Sequence, residues 1–134
     1  MSPTQVREAV VRAAIEVRQR AYAKYSQFLV GAAILAADGK IYAGCNVENS
    51  SYGLTICAER AAIFNAIAAG QRQFLLLAIA TAGGGTPCGA CRQVLAEFAP
   101  TLPILLIDVD QANKATEVNL RDLLPQAFTL NPEP

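Results

Sequence analysis

Three cysteines and one glutamate carry the chemistry this chain can offer. Cys57-Ala58-Glu59 is followed, thirty-one residues after its cysteine, by Pro87-Cys88-Gly89-Ala90-Cys91. Three thiolates suffice to grip one zinc ion. A structural zinc site takes four protein ligands, whereas a catalytic one takes three and keeps a position open for water. Glu59 stands two residues past the first thiolate and supplies the carboxylate that hydrolytic proton transfer requires. The chain has no histidine, which excludes any His-containing ligand set within one subunit. It also removes the commonest general base, so acid–base work falls to a carboxylate.

Placement supports that chemistry. Cys88 and Cys91 stand at i and i+3 and share a face if they lie on one helix. Cys57 opens another helical stretch, where the partial positive charge of a helix N-terminus lowers a thiol's pKa. Three thiolates around a divalent ion leave one excess negative charge, and two helix N-termini with the adjacent Arg60 are the expected compensation. Other readings stay open at this level. Cys45 could close a four-cysteine structural site, although such sites usually show two paired knuckles and this chain has one. At a strand end, Cys45 reads better as a buried, apolar-like cysteine. A redox dithiol at Cys88 and Cys91 would leave Cys57 and Glu59 without a role. Glu59 could also be a solvated first-turn glutamate, but it sits beside a ligand and before an apolar helix face.

The elements that must position these residues can be read from pattern and punctuation. Ser2-Pro3-Thr4-Gln5 has the chemistry of a helix cap, and Val6, Val10, Ala13, Val17 and Ala21 continue at helical spacing, so a helix is expected over 3–23. Runs over 28–35 and 40–46 read as strands joined by an Ala37-Asp38-Gly39 turn. Residues 48–55 read as loop. A helix over 57–69 should stop at Gly70. Residues 74–80 form a continuous apolar strand, of the kind buried on both faces. After the flexible Gly83-Gly84-Gly85, Thr86-Pro87 should cap a helix reaching Phe98. A strand over 102–109 and a short helix over 118–124, ended by Pro125, complete the chain. The order α-β-β-α-β-α-β-(β)-α predicts an α/β fold, a three-layer α/β/α sandwich around a mixed five-stranded sheet. Both cysteine motifs then fall where a loop enters a helix.

Composition narrows the function. At 134 residues the chain is expected to form one domain, over 1–134. Hydrophobic residues make up 53% and charged ones 16%, so the sheet should be covered on both faces and some apolar surface should meet another subunit. Eleven basic and eleven acidic residues cancel, which speaks against a polyanionic partner such as nucleic acid. The chain opens without a basic-then-apolar leader and has no run of membrane-spanning length, so a cytoplasmic protein without a membrane partner is expected.

Several stretches together resemble the small zinc cytidine deaminases. They are Phe28-Leu29-Val30-Gly31-Ala32-Ala33, Gly44-Cys45-Asn46-Val47-Glu48-Asn49, Cys57-Ala58-Glu59-Arg60, Pro87-Cys88-Gly89-Ala90-Cys91-Arg92-Gln93 and Leu123-Leu124-Pro125. The likeness runs in order from the first helix to about Phe128. It implies hydrolysis of cytidine and deoxycytidine to the uridines plus ammonia, a reaction of pyrimidine salvage, through water activated on one Zn²⁺ per subunit and attacking C4. It implies a cytidine deaminase-like fold and a homotetramer with composite active sites. By position, Cys57, Cys88 and Cys91 would bind zinc, and Glu59 would shuttle protons to N3 and then to the departing amine. The Ala58 N–H would meet the base carbonyl, Asn46 and Glu48 would hold the ribose 3′-hydroxyl, and Phe28 would pack against the base. Tyr52 and Phe128 would reach a neighbouring subunit's pocket. Residues 81–86 are shorter and richer in glycine than the family's usual approach to Pro-Cys, and Gln126 stands where a small residue is common. Deaminases of cytosine-bearing antibiotic nucleosides such as blasticidin share the zinc region but lack the pairing of Asn46 with Glu48. Nucleic-acid-editing deaminases usually carry histidine as the first ligand. A non-catalytic zinc-stabilised interaction module remains the alternative from another class.

Overall fold

The structure is a computed structural model that describes residues 1–130; the last four positions of the expected domain lie outside the described residues. Helix α1 spans Pro3–Arg18 and β1 and β2 span Gly31–Ala36 and Ile41–Cys45. Helix α2 covers Ala58–Ala68, β3 Phe74–Thr81 and α3 Gly89–Phe98. Strands β4 and β5, Pro103–Asp108 and Lys114–Asn119, precede the single-turn helix α4, Leu120–Leu123. The five strands lie in the order β2-β1-β3-β4-β5. Only β3 and β4 run parallel; β1–β2, β1–β3 and β4–β5 are antiparallel. The mixed sheet expected from the element order is present.

Strand periodicity divides the core into two layers, because alternate side chains point to opposite faces. Ala32, Ile34, Leu77, Ile79, Ile104 and Leu106 pack with Ala62, Ile63 and Ala66 of α2 and Leu95 of α3. Ala33, Leu35, Ala78, Ala80, Leu105 and Ile107 pack with Val10 and Ala14 of α1. Helices therefore cover both faces, and α2 and α3 share the face on which their N-termini bring the cysteines together.

Several boundaries differ from the sequence reading. Ser2 does cap α1, accepting from the Gln5 N–H while the Gln5 side chain accepts from the Ser2 N–H. The helix ends at Arg18 rather than near residue 23, because Tyr22 pairs as a β-bridge with Val47: its N–H donates to Asn46 and its carbonyl accepts from Glu48. The first strand begins at Gly31, since the backbone of Phe28 and Val30 bonds to the Asn46 side chain. The Asp38-Gly39 turn is as expected, with Gly39 at φ 87°. Cys88, not Thr86, occupies the N-cap of α3. Val118 belongs to β5, an exposed edge strand whose mixed polar residues carry no clear alternation. Cys45 is half-buried rather than buried.

Gly31 marks a close contact between layers. A Cβ there would lie 2.1 Å from the Ala14 carbonyl oxygen and 2.6 Å from the Arg18 nitrogen, both backbone atoms of α1. Backbone cannot swing aside as a side-chain tip can, so Gly31→Ala should destabilise the fold by about 3 kcal/mol. A chemical-denaturation midpoint measures this. A loss below about 0.5 kcal/mol, the range of a neutral surface change, would mean that α1 does not press on β1 this closely.

Candidate active site

The site assembles where two helices start. Cys57 is the N-cap of α2 and Cys88 the N-cap of α3, and neither side chain caps its own helix. A cysteine is a poor cap compared with serine or aspartate. These positions leave both sulfurs free to turn toward each other near two partial positive charges. Cys91 follows within the first turn of α3 and is fully buried. The Cys57 and Cys88 sulfurs lie 3.9 Å apart, those of Cys88 and Cys91 3.5 Å, and all three fall within 4.8 Å of one another. None of the three is tied up in a disulfide.

Tetrahedral zinc with Zn–S of about 2.3 Å requires sulfur–sulfur separations of about 3.8 Å. The donor set fits. Cys45 lies outside the cluster, so among the described residues the site offers three sulfurs and no fourth. That is the stoichiometry of an open site rather than a closed structural one.

Arg60 stands beside the sulfur cluster. Its Nη2 donates to the Cys57 sulfur at 3.3 Å. A hydrogen bond from the Cys91 thiol, then Arg60, brings the Cys57 thiol down to about 5 against the cost of burial. The Cys91 thiol is pushed up, first by the hydrogen bond with Cys57 and then by burial.

Glu59 sits on the buried stripe of α2 with Ala62, Ile63 and Ala66, where an apolar residue would otherwise be expected. It is only 5% exposed, and burial lifts its carboxyl to about 7, with the Cys57 charge adding to the rise. The solvated first-turn reading of this glutamate does not hold.

Glu59 opens into a pocket of about 310 Å³ that Phe28, Asn46, Glu48, Tyr52, Ala58, Cys57 and Cys88 help line. This volume is at the small end of the range for small-molecule sites. Asn46 and Glu48 are buried, and both are partly committed to the protein. The Asn46 amide donates to the Phe28 carbonyl and its oxygen accepts from the Val30 N–H. Glu48 accepts from the N–H groups of Tyr25 and Ser26 and from the Ser26 hydroxyl. These bonds, that of the Ser26 hydroxyl foremost, hold its carboxyl below the usual range. Phe28 is 47% exposed on the pocket wall. Tyr52, expected to serve a neighbour, lines this chain's own pocket. Phe128 does not line it; it is 68% exposed, its carbonyl accepts from Gln93, and it follows Gln126 at φ 58°.

Sequence reasoning gave no role to Ser26, Thr55 or Thr81. Ser26 becomes visible only once Glu48 is placed opposite it. Thr55 lines the pocket with a buried hydroxyl that has no partner among the described residues. Thr81, at the end of β3, accepts from the Gly85 N–H and so tethers the glycine loop at the pocket rim.

Residues 4–105 match the model of the cytidine and deoxycytidylate deaminase zinc-binding region. The chain belongs to this family. A cytidine deaminase of Sporosarcina psychrophila is 46% identical over 125 residues, covering 91% of this chain and 90% of that protein. A probable cytidine deaminase of Dictyostelium discoideum is 49% identical over 125 residues, covering 91% of this chain and 83% of that one. The crystal structure of cytidine deaminase from Burkholderia pseudomallei superimposes with a TM-score of 0.86 at 46% identity, covering 96% of this chain and all of that one. The α/β sandwich is thus the fold of the cytidine deaminases, and the protein is an enzyme of that family. Its cofactor is zinc, for which the Cys57, Cys88 and Cys91 sulfurs are positioned. Among the described residues no helix is long and apolar enough to cross a membrane.

Proposed function

We propose that the enzyme hydrolyses cytidine and deoxycytidine to uridine and deoxyuridine with release of ammonia, as a step of pyrimidine salvage in the cytoplasm. The observation that carries this reading is one pocket lined by Cys57 and Cys88 of the three-sulfur cluster, by the buried carboxylate of Glu59, and by Asn46 and Glu48. Zinc held by Cys57, Cys88 and Cys91 supplies Lewis acidity and lowers the pKa of water.

Everything else falls to the chain's own groups. Glu59 takes a proton from the attacking water, delivers it to N3 of the base, and passes the second proton to the departing amine. A carboxyl near neutrality can both accept and release protons at working pH. Ala58 is the first residue of α2, so its N–H has no acceptor within the helix and is available to the base carbonyl. Phe28 packs on the flat base. Asn46 and Glu48 bind the ribose 3′-hydroxyl with their remaining lone pairs while the protein bonds fix their orientation. Arg60 holds the thiolate charge down, a role supported by its contact with the Cys57 sulfur.

We also propose a homotetramer in which Phe128, and Tyr52 at the pocket lip, complete neighbouring sites. Supporting this, Tyr25, Phe28, Val47, Tyr52 and Leu54 expose apolar surface on the segments that form and flank the pocket mouth. Light scattering that gave a monomer would refute it.

An ultraviolet deamination assay tests the activity. Cytidine and deoxycytidine should turn over, and cytidine monophosphate, adenosine and blasticidin should not. Turnover of blasticidin alone would transfer the assignment to an antibiotic nucleoside, and turnover of none would refute the catalytic reading.

A further inference from the structure

The sulfur of Cys88 sits where a glycine-rich loop meets α3. Pro87 is fully buried and the Cys88 carbonyl accepts from the Arg92 N–H at 2.9 Å, but the approach through Thr86 and Pro87 lies outside any helix or strand. Between β3 and α3 the chain runs through Ala82, three glycines, Thr86 and Pro87. Gly83 is tethered by its N–H to the Asp108 carboxylate and Gly85 by its N–H to the Thr81 hydroxyl. Among the described residues no backbone–backbone hydrogen bond holds Thr86 or Pro87. The backbone bond at Cys88 fixes its carbonyl, whereas the direction in which its sulfur points also depends on how the chain enters the helix, and zinc is sensitive to ligand placement.

Arg92 bonds that approach through its side chain. Its Nε donates to the Pro87 carbonyl at 2.7 Å, its Nη2 to the Thr86 hydroxyl at 3.0 Å, and its Nη1 to the Leu123 carbonyl at 2.8 Å. One planar guanidinium thus joins two segments: the approach to Cys88 at the pocket rim and the C-terminal end of α4. The acceptors are all neutral oxygens, and Arg92 forms no salt bridge among the described residues. A cation in the first turn of a helix opposes the helix dipole. Directed donors rather than charge account for an arginine here, since only a guanidinium offers them in a fixed fork.

We propose that Arg92 is a positioning residue for the metal loop: its fork fixes Thr86 and Pro87, and through them the Cys88 sulfur, against the end of α4. It differs in kind from Arg60, which touches a sulfur and acts by charge. The proposal rests on Cys88 being a zinc ligand, as in the functional reading above.

The test is zinc release from the purified holoenzyme to a chromogenic chelator, with steady-state kinetics on cytidine alongside. Arg92→Lys keeps the charge and loses the fork; Arg92→Met loses both. Each should release zinc about 10- to 100-fold faster than the unaltered enzyme, as removal of a group that orients a metal ligand does. Each should lower kcat by a similar factor while KM stays within about twofold, because the substrate walls at Phe28, Asn46 and Glu48 are untouched. Thr86→Val removes a single acceptor at an exposed position, leaves folding intact, and should speed release about threefold. Unchanged release in Arg92→Lys would show that charge suffices and overturn the proposal. Should the Arg92 variants fail to fold, unchanged release in Thr86→Val would overturn it equally. An unaltered enzyme that holds zinc but deaminates no cytosine nucleoside would refute the substrate assignment, and the chelator measurement would still decide the role of Arg92.

Discussion

Glu59→Gln should lower kcat on cytidine by about 10²- to 10⁴-fold, the span that a positioned proton-transfer group contributes. The zinc content should stay at one per subunit, because none of the three sulfurs is altered. The fold should survive as well. Glu59 is nearly the same shape as glutamine, and it occupies a stripe of α2 otherwise filled by Ala62, Ile63 and Ala66. Burying an ionised carboxylate there costs more than burying a neutral amide, so the variant should melt no lower than the unaltered enzyme. This pattern of lost activity with zinc and stability retained distinguishes a proton carrier from a structural residue, since a structural residue would lose stability first. Absorbance at the cytidine band, a chelator assay for zinc and a thermal melt make the three measurements. Activity within tenfold of the unaltered enzyme would remove Glu59 from the proton path.

What the sequence disclosed depended on how local the determinant was. The Ser2 cap and the Gly39 turn are set by neighbouring residues, and each was legible. The cysteine cluster was legible because ligand type and spacing are themselves the signal. The end of α1 was not, since Tyr22 leaves the helix to pair with Val47, twenty-five residues away, and nothing near Tyr22 announces it. The start of α3 was displaced for a related reason. Thr86 has the better capping chemistry, yet Cys88 takes the N-cap and the Thr86 hydroxyl accepts from Arg92 instead. Strand β5 carried no alternation because it lies exposed at the sheet edge. Within the site, Asn46 and Glu48 were readable as a pair but not as braces. Their bonds to the segment 25–30 exist only after β2 is laid beside that segment. Function-bearing residue types survive in the one-dimensional record; the groups that hold them in place are defined by the fold.

The choice between an open and a closed metal site makes the other large prediction. Cys91→Ala should weaken zinc binding by about 10²- to 10³-fold, the share of one ligand in a total of about 10–16 kcal/mol for a structural zinc site. Deamination should fall with it to the background of the assay. Cys91 is fully buried beside the Leu95 stripe of α3, so serine would introduce a hydroxyl into an apolar environment; alanine isolates the loss of the ligand. The apo variant should also melt lower than the zinc-loaded enzyme, because zinc that binds only the native state stabilises it by mass action. Cys45→Ala supplies the contrast. Cys45 lies on β2, half-buried, and is not part of the sulfur cluster. A site closed by four cysteines would lose zinc on either substitution, whereas an open site with three would lose it only with Cys91. Inductively coupled plasma analysis of the two purified variants separates these cases. Zinc lost from Cys45→Ala would close the site, leave no position for water, and defeat the hydrolytic reading whatever Glu59 does.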